Sequence, residues 1–491
     1  MLSNLRSQRD YPFLTVALVL GDPVNSVLPG RCRCLFLATA LVLGGLLSTA
    51  AAAYAVGPVD VKNYGAKGDG VTDDTDAIQK AMDAGASGNG DHTVNFPTAR
   101  YLISGALRAS NVKIRGFFSA LILANADAKL NIAGTETEVF EMSFENLTPG
   151  GVAIACNKAE EFKIRRCHFD KGFQSDIVVS ESRLGVIQQN SFSVSNSGQG
   201  ISASNVGYLS IVGNVMLADP FTSVGVLIDH GQQCLVSGNI FEPLKFGVVF
   251  TYNVSGTIEF NRFQSPLVGS AIANSTGCKC RSNQYSDVVF YGCVARENTN
   301  ADIRYNRFQG GQVGIFEEGN EQTWMYENSI VDTRVGIISE FSSVSAFHHN
   351  EIKNASVFGL DIRHDRMVSV TFCEIRDVGG AGLFIADTSN SGVVDTVIQR
   401  CDRQGIYELD CTGFSAIQSS RIDNCGLAAT DPAAVIFIDS PKATEIVILS
   451  NEYTGNAKNL KYFIRSIQQP KRISGNRTDT LLPTKIGPDT P

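Results

Sequence analysis

One short pattern recurs every 22 to 25 residues: an apolar residue, two variable ones, Asn, one more, then a large apolar residue. It reads IQQNSF at Ile187–Phe192, IVGNVM at Ile211–Met216 and VSGNIF at Val236–Phe241, and IEFNRF, CRSNQY, IRYNRF, MYENSI and FHHNEI continue it to Ile352. The asparagines fall at Asn190, Asn214, Asn239, Asn261, Asn283, Asn306, Asn328 and Asn350, spaced 24, 25, 22, 22, 23, 22 and 22 residues apart. A unit this short cannot bury its own apolar face, so it is stable only when stacked on copies of itself.

The frame extends without Asn in both directions. Upstream it passes Cys167 and Glu145; downstream it passes Cys373, Thr396 and Ser420 and ends near Asn451. That predicts about a dozen turns. A second short strand opens with Gly before the next Asn, as GVLI at Gly225, GVVF at Gly247, GIFE at Gly314, GIIS at Gly336, GLDI at Gly359 and GLFI at Gly382. Two or three short strands per turn, punctuated by Gly and Asn with no helical period between them, predict an all-β parallel β-helix. Turns about 4.8 Å apart would align like residues in columns. The Asn column then reads as a structural ladder of amide-to-amide bonds.

Composition fits one long solenoid. Charged residues make up only 18% of the 491, and Gly numbers 46, as strand and turn punctuation rather than linkers. A formal net charge of −8 argues against a nucleic-acid binder. Arg31 and Arg33, an apolar run from Leu35 to Leu47 and a small-residue stretch predict a signal peptide over residues 1–55, cleaved near Ala53–Ala55. An uncleaved signal anchor is the alternative. The expected location is secreted, extracellular or periplasmic. Cys401 and Cys425 occupy equal positions in adjacent turns, a spacing that would suit a disulfide in an oxidising compartment.

The segment before the repeats differs. DVKNYGAKGDGVTDDTDAIQKAMDAG and then TVNFPTARYLISG read as a strand, a Gly-rich turn, a helix and more strands. Asp73, Asp74 and Asp76 gather at the helix start, where carboxylates favour the dipole, and a cap of this kind closes the open end of a solenoid. The expected organisation is a leader (1–55), a cap with the first turns (56–130), the β-helix (131–455) and a C-terminal tail (456–491). The cap resembles the start of the pectate-lyase-like, rhamnogalacturonase/epimerase-like right-handed β-helix superfamily. That resemblance implies a right-handed solenoid and a polysaccharide context, among hydrolases, lyases, epimerases and tailspikes. The polygalacturonase-type signature is absent. GLDIRHDR at Gly359–Arg366 partly resembles the Asp-Pro-His-Asp segment of alginate epimerases, without the proline and with one more residue.

Columns locate the chemistry. Four residues after the Gly, one column reads Asp229, Thr251, Ala273, Arg296, Glu318, Glu340, Arg363, Ala386. Asp361 lies on the same side as Arg363, and His364 and Asp365 follow. Glu318, Glu340 and Asp361 are the candidate catalytic carboxylates, since glycosidic cleavage uses one acid and one nucleophile or base. Arg296, Arg363 and His364 are candidate substrate binders, able to pair with a uronate carboxylate. An Arg–Glu–Glu–Arg ladder that merely neutralises neighbouring strands is the competing reading. In this frame Glu317 lies inward beside Ser339 and Ala295, where burial would raise its pKa, and with an error of offset it would become the better acid. A second outward row, Arg281, Arg304, Tyr326 and His348, offers rings and cations for sugars, with Arg304, Tyr326 and His348 the candidates. The Gly strands also place Leu227, Val249, Phe316, Ile338 and Phe384 outward, which predicts a covered face, by a loop, the tail or a homotrimer.

The chain is therefore expected to cleave or epimerise a uronate-containing polysaccharide, or to be a non-catalytic glycan-binding or surface-structural protein. No cofactor is expected, and nothing in the sequence supports calcium.

Overall fold

A left-handed residue followed by Asn makes each corner of the chain. In the computed structural model the residue before every ladder Asn, from Gln189 to His349, has φ between +48° and +64°. Such a corner leaves backbone groups without partners inside the strand ladders, and the Asn side chain takes them up. Asn261 Nδ2 donates to Val236 O (2.9 Å) and to Asn283 Oδ1 (3.1 Å). Its own Oδ1 accepts from the backbone N and the Nδ2 of Asn239, at 2.9 and 3.0 Å. The same bonds repeat from Asn190 to Asn350.

Residues 57–487 are described apart from 89, 219–222, 427–433, 456–461, 467–469 and 479–483. The predicted leader and its cleavage point lie outside them. Among the described residues no helix is long and apolar enough to cross a membrane.

The strands wind into a parallel β-solenoid of about 16 turns rather than a dozen. Each turn uses three sheets. The first sheet stacks Val236, Ile258, Cys280, Ile303, Met325 and Phe347. The second follows the Asn corner and stacks Phe241, Phe263, Tyr285, Phe308 and Ile330. The third holds the Gly strands, with Val226, Val248, Ser270, Cys293 and Ile315 inward. The additional turns lie where no Asn marks them: the first-sheet ladder already runs through Val59 and Val94, and it extends to Ile473. Strands also pair in parallel beyond residue 455, at Tyr462–Ser466, Arg472–Ser474, Arg477–Thr478 and Thr484–Ile486.

The core is built from like residues in contact. Phe144, Phe169 and Phe192 stack at 5.0 and 4.8 Å between centroids. Phe241, Phe263, Tyr285 and Phe308 continue at 5.0, 4.8 and 4.5 Å, all within 9° of parallel. The buried Tyr285 hydroxyl is satisfied by Ser270 Oγ at 2.7 Å, so the column tolerates a polar ring. These rings leave no room opposite them. A Cβ on Gly247 would sit 2.4 Å from the Phe263 ring and 2.5 Å from Gly269 O, which is why each Gly strand carries a glycine there.

The Asn frame is right downstream, where Thr396, Ser420 and Asn451 hydrogen-bond in sequence, Thr396 N to Ser420 Oγ and Ser420 N to Asn451 Oδ1, with Asn476 beyond. Upstream it holds at Cys167, whose backbone N donates to Asn190 Oδ1 at 2.9 Å. It slips at Glu145. Phe144 pairs with Phe169, so the position two residues earlier is the buried Met142. That turn has no Asn corner to fix the register. The structure also holds Cys401 and Cys425 as buried free thiols rather than a disulfide.

At the N-terminus the helix Thr75–Ser87 covers the first turns with Ile78, Ala81 and Met82 buried. The acidic residues at its start bind backbone and hydroxyls. Asp74 accepts from Lys67 N (2.7 Å) and Gly68 N (2.9 Å), tying down the Gly-rich turn, while Asp73 caps Thr75 N at 3.1 Å.

Candidate functional site

Register brings the predicted column together. Arg296 pairs with Glu318, Glu318 with Glu340 and Glu340 with Arg363 on successive rungs of the third sheet. Strands about 4.8 Å apart therefore hold the two glutamates as direct neighbours. Arg296 Nε lies 3.1 Å from Glu318 Oε2. Arg363 meets Asp361 through two parallel bonds, Nε to Oδ1 at 2.7 Å and Nη2 to Oδ2 at 2.8 Å. This fork geometry is the strong form of the pair. It holds the guanidinium charged, pushing its pKa up through the Asp361 hydrogen bonds, and it accounts for a carboxylate at Asp361 that is only 7% exposed. Arg363 also lies over the Phe384 ring, 5.2 Å from its centroid.

Glu340 is different. It is half-buried between two neutralised pairs, and among the described residues it makes no ion pair of its own. His364 turns away to the corner, stacked on Phe341 at 4.7 Å and 3.9 Å from Asp387.

Glu317 points inward, beside Ala295 and Ser339 as the frame predicts, and is wholly buried. Asp365, which follows His364, also turns into the core. Three hydroxyl contacts join them. Ser345 Oγ donates to Glu317 Oε1 (2.6 Å), Ser339 Oγ lies 3.4 Å from Ser345 Oγ, and Ser339 Oγ donates to Asp365 Oδ2 (2.6 Å). Burial pushes Glu317 up to about 7, with the Asp365 charge adding to it, and burial pushes Asp365 up to about 6. Both groups are sealed inside the solenoid, so neither can touch a substrate. A third buried carboxyl, Glu408, is also raised by burial and is held by Ser391 and Ser415.

The second row is also in register: Arg281, Arg304, Tyr326 and His348 occupy consecutive rungs of the first sheet. The Arg304 guanidinium lies over Tyr326 at 5.2 Å, and Tyr326 stacks on His348 at 4.8 Å. Arg304 is ion-paired with Asp302, and Arg281 with Glu259 at 2.8 Å. Burial and the neighbouring His349 lower the pKa of His348, which keeps its ring neutral at pH 7. Trp324 joins this row, two residues before Tyr326 on the same side, and with Met367 and Phe414 it rims a groove of about 480 Å³. Small residues make its floor: Trp324 is followed on its column by Ala346, Ser369 and Gly392. The period-two alternation that places Tyr326 outward could have found Trp324; the Phe414 wall, four rungs on, has no such signal. The carboxylate column ends the third sheet and the aromatic row ends the first, so the structure sets them on two faces rather than in one cleft.

Three family models match parts of the chain. A model described as rhamnogalacturonase A/epimerase, pectate lyase-like matches residues 58–249. A right handed beta helix region model matches 313–469, and a model of the periplasmic copper-binding protein NosD matches 185–362. "Alginate lyase 7" of Azotobacter vinelandii is 54% identical over 52 residues, 11% of this chain and 6% of that protein. Plasmin and fibronectin-binding protein A of Streptococcus pneumoniae is 53% identical over 45 residues, 9% of this chain and 6% of that protein. The matched stretch thus spans about a sixteenth of each curated relative. The solved structure of the S. pneumoniae surface protein and adhesin PfbA is 14% identical with a TM-score of 0.43, covering 80% of this chain and 100% of that one.

Proposed function

We propose that this chain, a right-handed β-helix of the pectate-lyase-like superfamily, acts on a uronate-containing polysaccharide at the column Arg296–Glu318–Glu340–Arg363. The reaction is cleavage, as a hydrolase or lyase, or epimerisation. The observation that carries the reading is Glu340, a carboxylate without an ion pair of its own, next to one that Arg296 neutralises. Proton transfer needs a group free to change protonation state, and its partner needs to remain charged. Glu340 takes the first role and Glu318 the second. A rung spacing of about 4.8 Å is of the order of the ~5–5.5 Å carboxyl separation of retaining glycosidases. Asp361 acts as a positioning residue, since it uses two guanidinium donors of Arg363 and leaves the others for a substrate carboxylate. Pairing a uronate carboxylate in this way would also acidify the adjacent C–H, as a lyase or epimerase requires.

Turnover on a panel of uronans and neutral glycans tests the reading. Glu340→Gln is expected to lower kcat/KM by about 10²- to 10⁴-fold on the active substrate, and Asp361→Ala to act mainly on KM. Unchanged turnover in Glu318→Ala, Glu340→Ala and Asp361→Ala would remove the site. Absorbance from unsaturated sugars chooses lyase over hydrolase.

The two internal ion pairs of the column favour a second reading, a non-catalytic glycan-binding or surface-structural protein. Binding to a uronan without turnover on any substrate would select it. In either case the chain is read as secreted through the leader. The outward apolar residues Leu227, Val249, Phe316, Ile338 and Phe384 remain half-exposed, which supports burial against other copies as a homotrimer; a monomer in sedimentation equilibrium would discard that.

A further inference from the structure

A cavity lies away from the carboxylate column, between the cap helix and the first turns of the third sheet. It has a volume of about 620 Å³, within the range of small-ligand sites. Its apolar lining comes from Met82, Ala86, Ile132 and Ala133, and its polar groups are Asp83, Arg108, Ser110, Lys129, Asn131 and Asn157, two cations against one carboxylate. Among the described residues neither Arg108 nor Lys129 has an ion-pair partner. With Asp83 counted, the groove keeps a net positive charge from Arg108 and Lys129, which favours an anion beside those two groups.

The walls are fixed. Gln79 on the helix clamps the strand that carries Arg108: its Oε1 accepts from Arg108 N (2.8 Å), and its Nε2 donates to Arg108 O (3.1 Å) and to Asp83 Oδ1 (2.8 Å). The backbone that aims Arg108 is thus set before any ligand arrives, which lowers the cost of binding. Side-chain amides and an apolar floor beside two cations fit a ring with one apolar face, hydroxyls on its edge and a carboxylate.

We infer that the groove between the cap helix and the first turns binds a uronate residue of a glycan, its carboxylate on Arg108 and Lys129 and its ring against Ala86 and Ala133. The charge of the ligand follows from the groove alone; that it is a sugar rests on the function proposed above. Asn157 heads the column that runs through Ser180, Ser204, Asp229, Thr251, Ala273 and Arg296 to Glu318. Seven rungs of about 4.8 Å place the two sites about 34 Å apart. This is a separate anchoring site, not a wall of the carboxylate column.

Chemical footprinting of the full chain tests it. Arginines are labelled with phenylglyoxal and lysines with an acetylating ester, with and without tetragalacturonate, and labelling is read by peptide mass. Protection of Arg108 and Lys129 by tetragalacturonate, and not by maltotetraose or benzoate, is the expected result. The double substitution Arg108→Ala/Lys129→Ala should weaken tetragalacturonate binding at least tenfold by calorimetry, with the melting temperature as the folding control. Ala133→Trp, which fills the groove and keeps both cations, should do the same. Protection of Arg296 without Arg108 would overturn the cap site and leave the carboxylate column standing. Equal protection by benzoate would overturn the sugar assignment. Labelling of Arg108 and Lys129 indifferent to every probe would overturn the site outright.

Discussion

Asn261→Ala is expected to destabilise the protein by about 3–5 kcal/mol, more than the loss of any surface ion pair. The side chain donates to Val236 O and Asn283 Oδ1 and accepts from two nitrogens of Asn239. Its removal strands a buried backbone N–H, an amide and a carbonyl, each costing about 1–3 kcal/mol when left unpaired. Partial relaxation and water entry keep the sum at the lower end of that range. Urea denaturation monitored by circular dichroism measures it, and a loss below about 1 kcal/mol would show that the ladder is ornamental. Asn261→Asp gives a sharper result. An ionised carboxylate faces the Asn283 oxygen with no proton to donate, whereas a protonated one restores a donor. Measured against the parent at each pH, the Asp variant should therefore recover stability as pH falls from 7 to 4, and the Ala variant should keep a constant deficit.

The second large effect is a pH dependence opposite to that of an ordinary acidic protein. Glu317 and Asp365 are held protonated by burial, up to about 7 and about 6, while in the unfolded chain both ionise near pH 4. Between those limits unfolding releases protons, so stability falls as pH rises. At about 1.4 kcal/mol per pH unit for each group, the loss between pH 4.5 and pH 7 is of the order of 3 kcal/mol for Glu317 and about 2 kcal/mol for Asp365, whose share ends near pH 6. The groups that face the pair fit this direction: Glu340 raises Asp365 further, and the hydroxyl donors Ser339 and Ser345 and the charge of His364 lower the two only in part. Unfolding in urea at pH 5 and pH 8 should give the higher midpoint at pH 5. Glu317→Gln should flatten part of that slope and be more stable than the parent at pH 8. An identical slope in the variant would exclude Glu317 as its source. Below pH 4 the trend reverses, because Asp69, lowered to about 2 by the Val71 and Thr72 hydrogen bonds, must then be protonated.

The fold could be read from the chain because a stacked turn repeats its geometry and therefore its residues. A flat ring needs another flat ring 4.5 to 5 Å away, so Phe241, Phe263, Tyr285 and Phe308 announce one another across 22-residue intervals. Where corners lack Asn, as in the strand Glu138–Asn146 with its left-handed Glu141, nothing pins the frame, and the Glu145 position and the turn count came out wrong. The columns of the candidate site were legible for the same reason of register. Pairing within a column was not. That Asp361 folds back on Arg363 while Glu340 stays unpaired depends on side-chain rotamers, which spacing does not encode. Asp365 turns inward because it closes a second corner column, Asn253, Ser275, Asn298, Asn320 and Ser342, each after a left-handed residue as His364 is at φ +58°. That column has the same 22- to 23-residue period and was the signal for it. The groove beneath the cap helix joins Met82 to Asn157, partners far apart in sequence with no shared period.

The hydrogen bond from one Asn to the next is the same at every rung, which makes the number of rungs an independent variable. Deleting residues 239–260 would join Gly238 to Asn261, and Asn214 would meet Asn261 as it now meets Asn239. Because repeat stabilities add approximately, the shortened chain should fold with a melting temperature within a few degrees of the parent; a chain that aggregates or melts non-cooperatively would refute that independence. The 34 Å between the cap groove and the carboxylate column would shrink by one rung, about 4.8 Å. The solenoid is in this sense a ruler: its copy number fixes how long a glycan must be to occupy both ends, and that length can be changed by a whole coil without altering a single contact at either site.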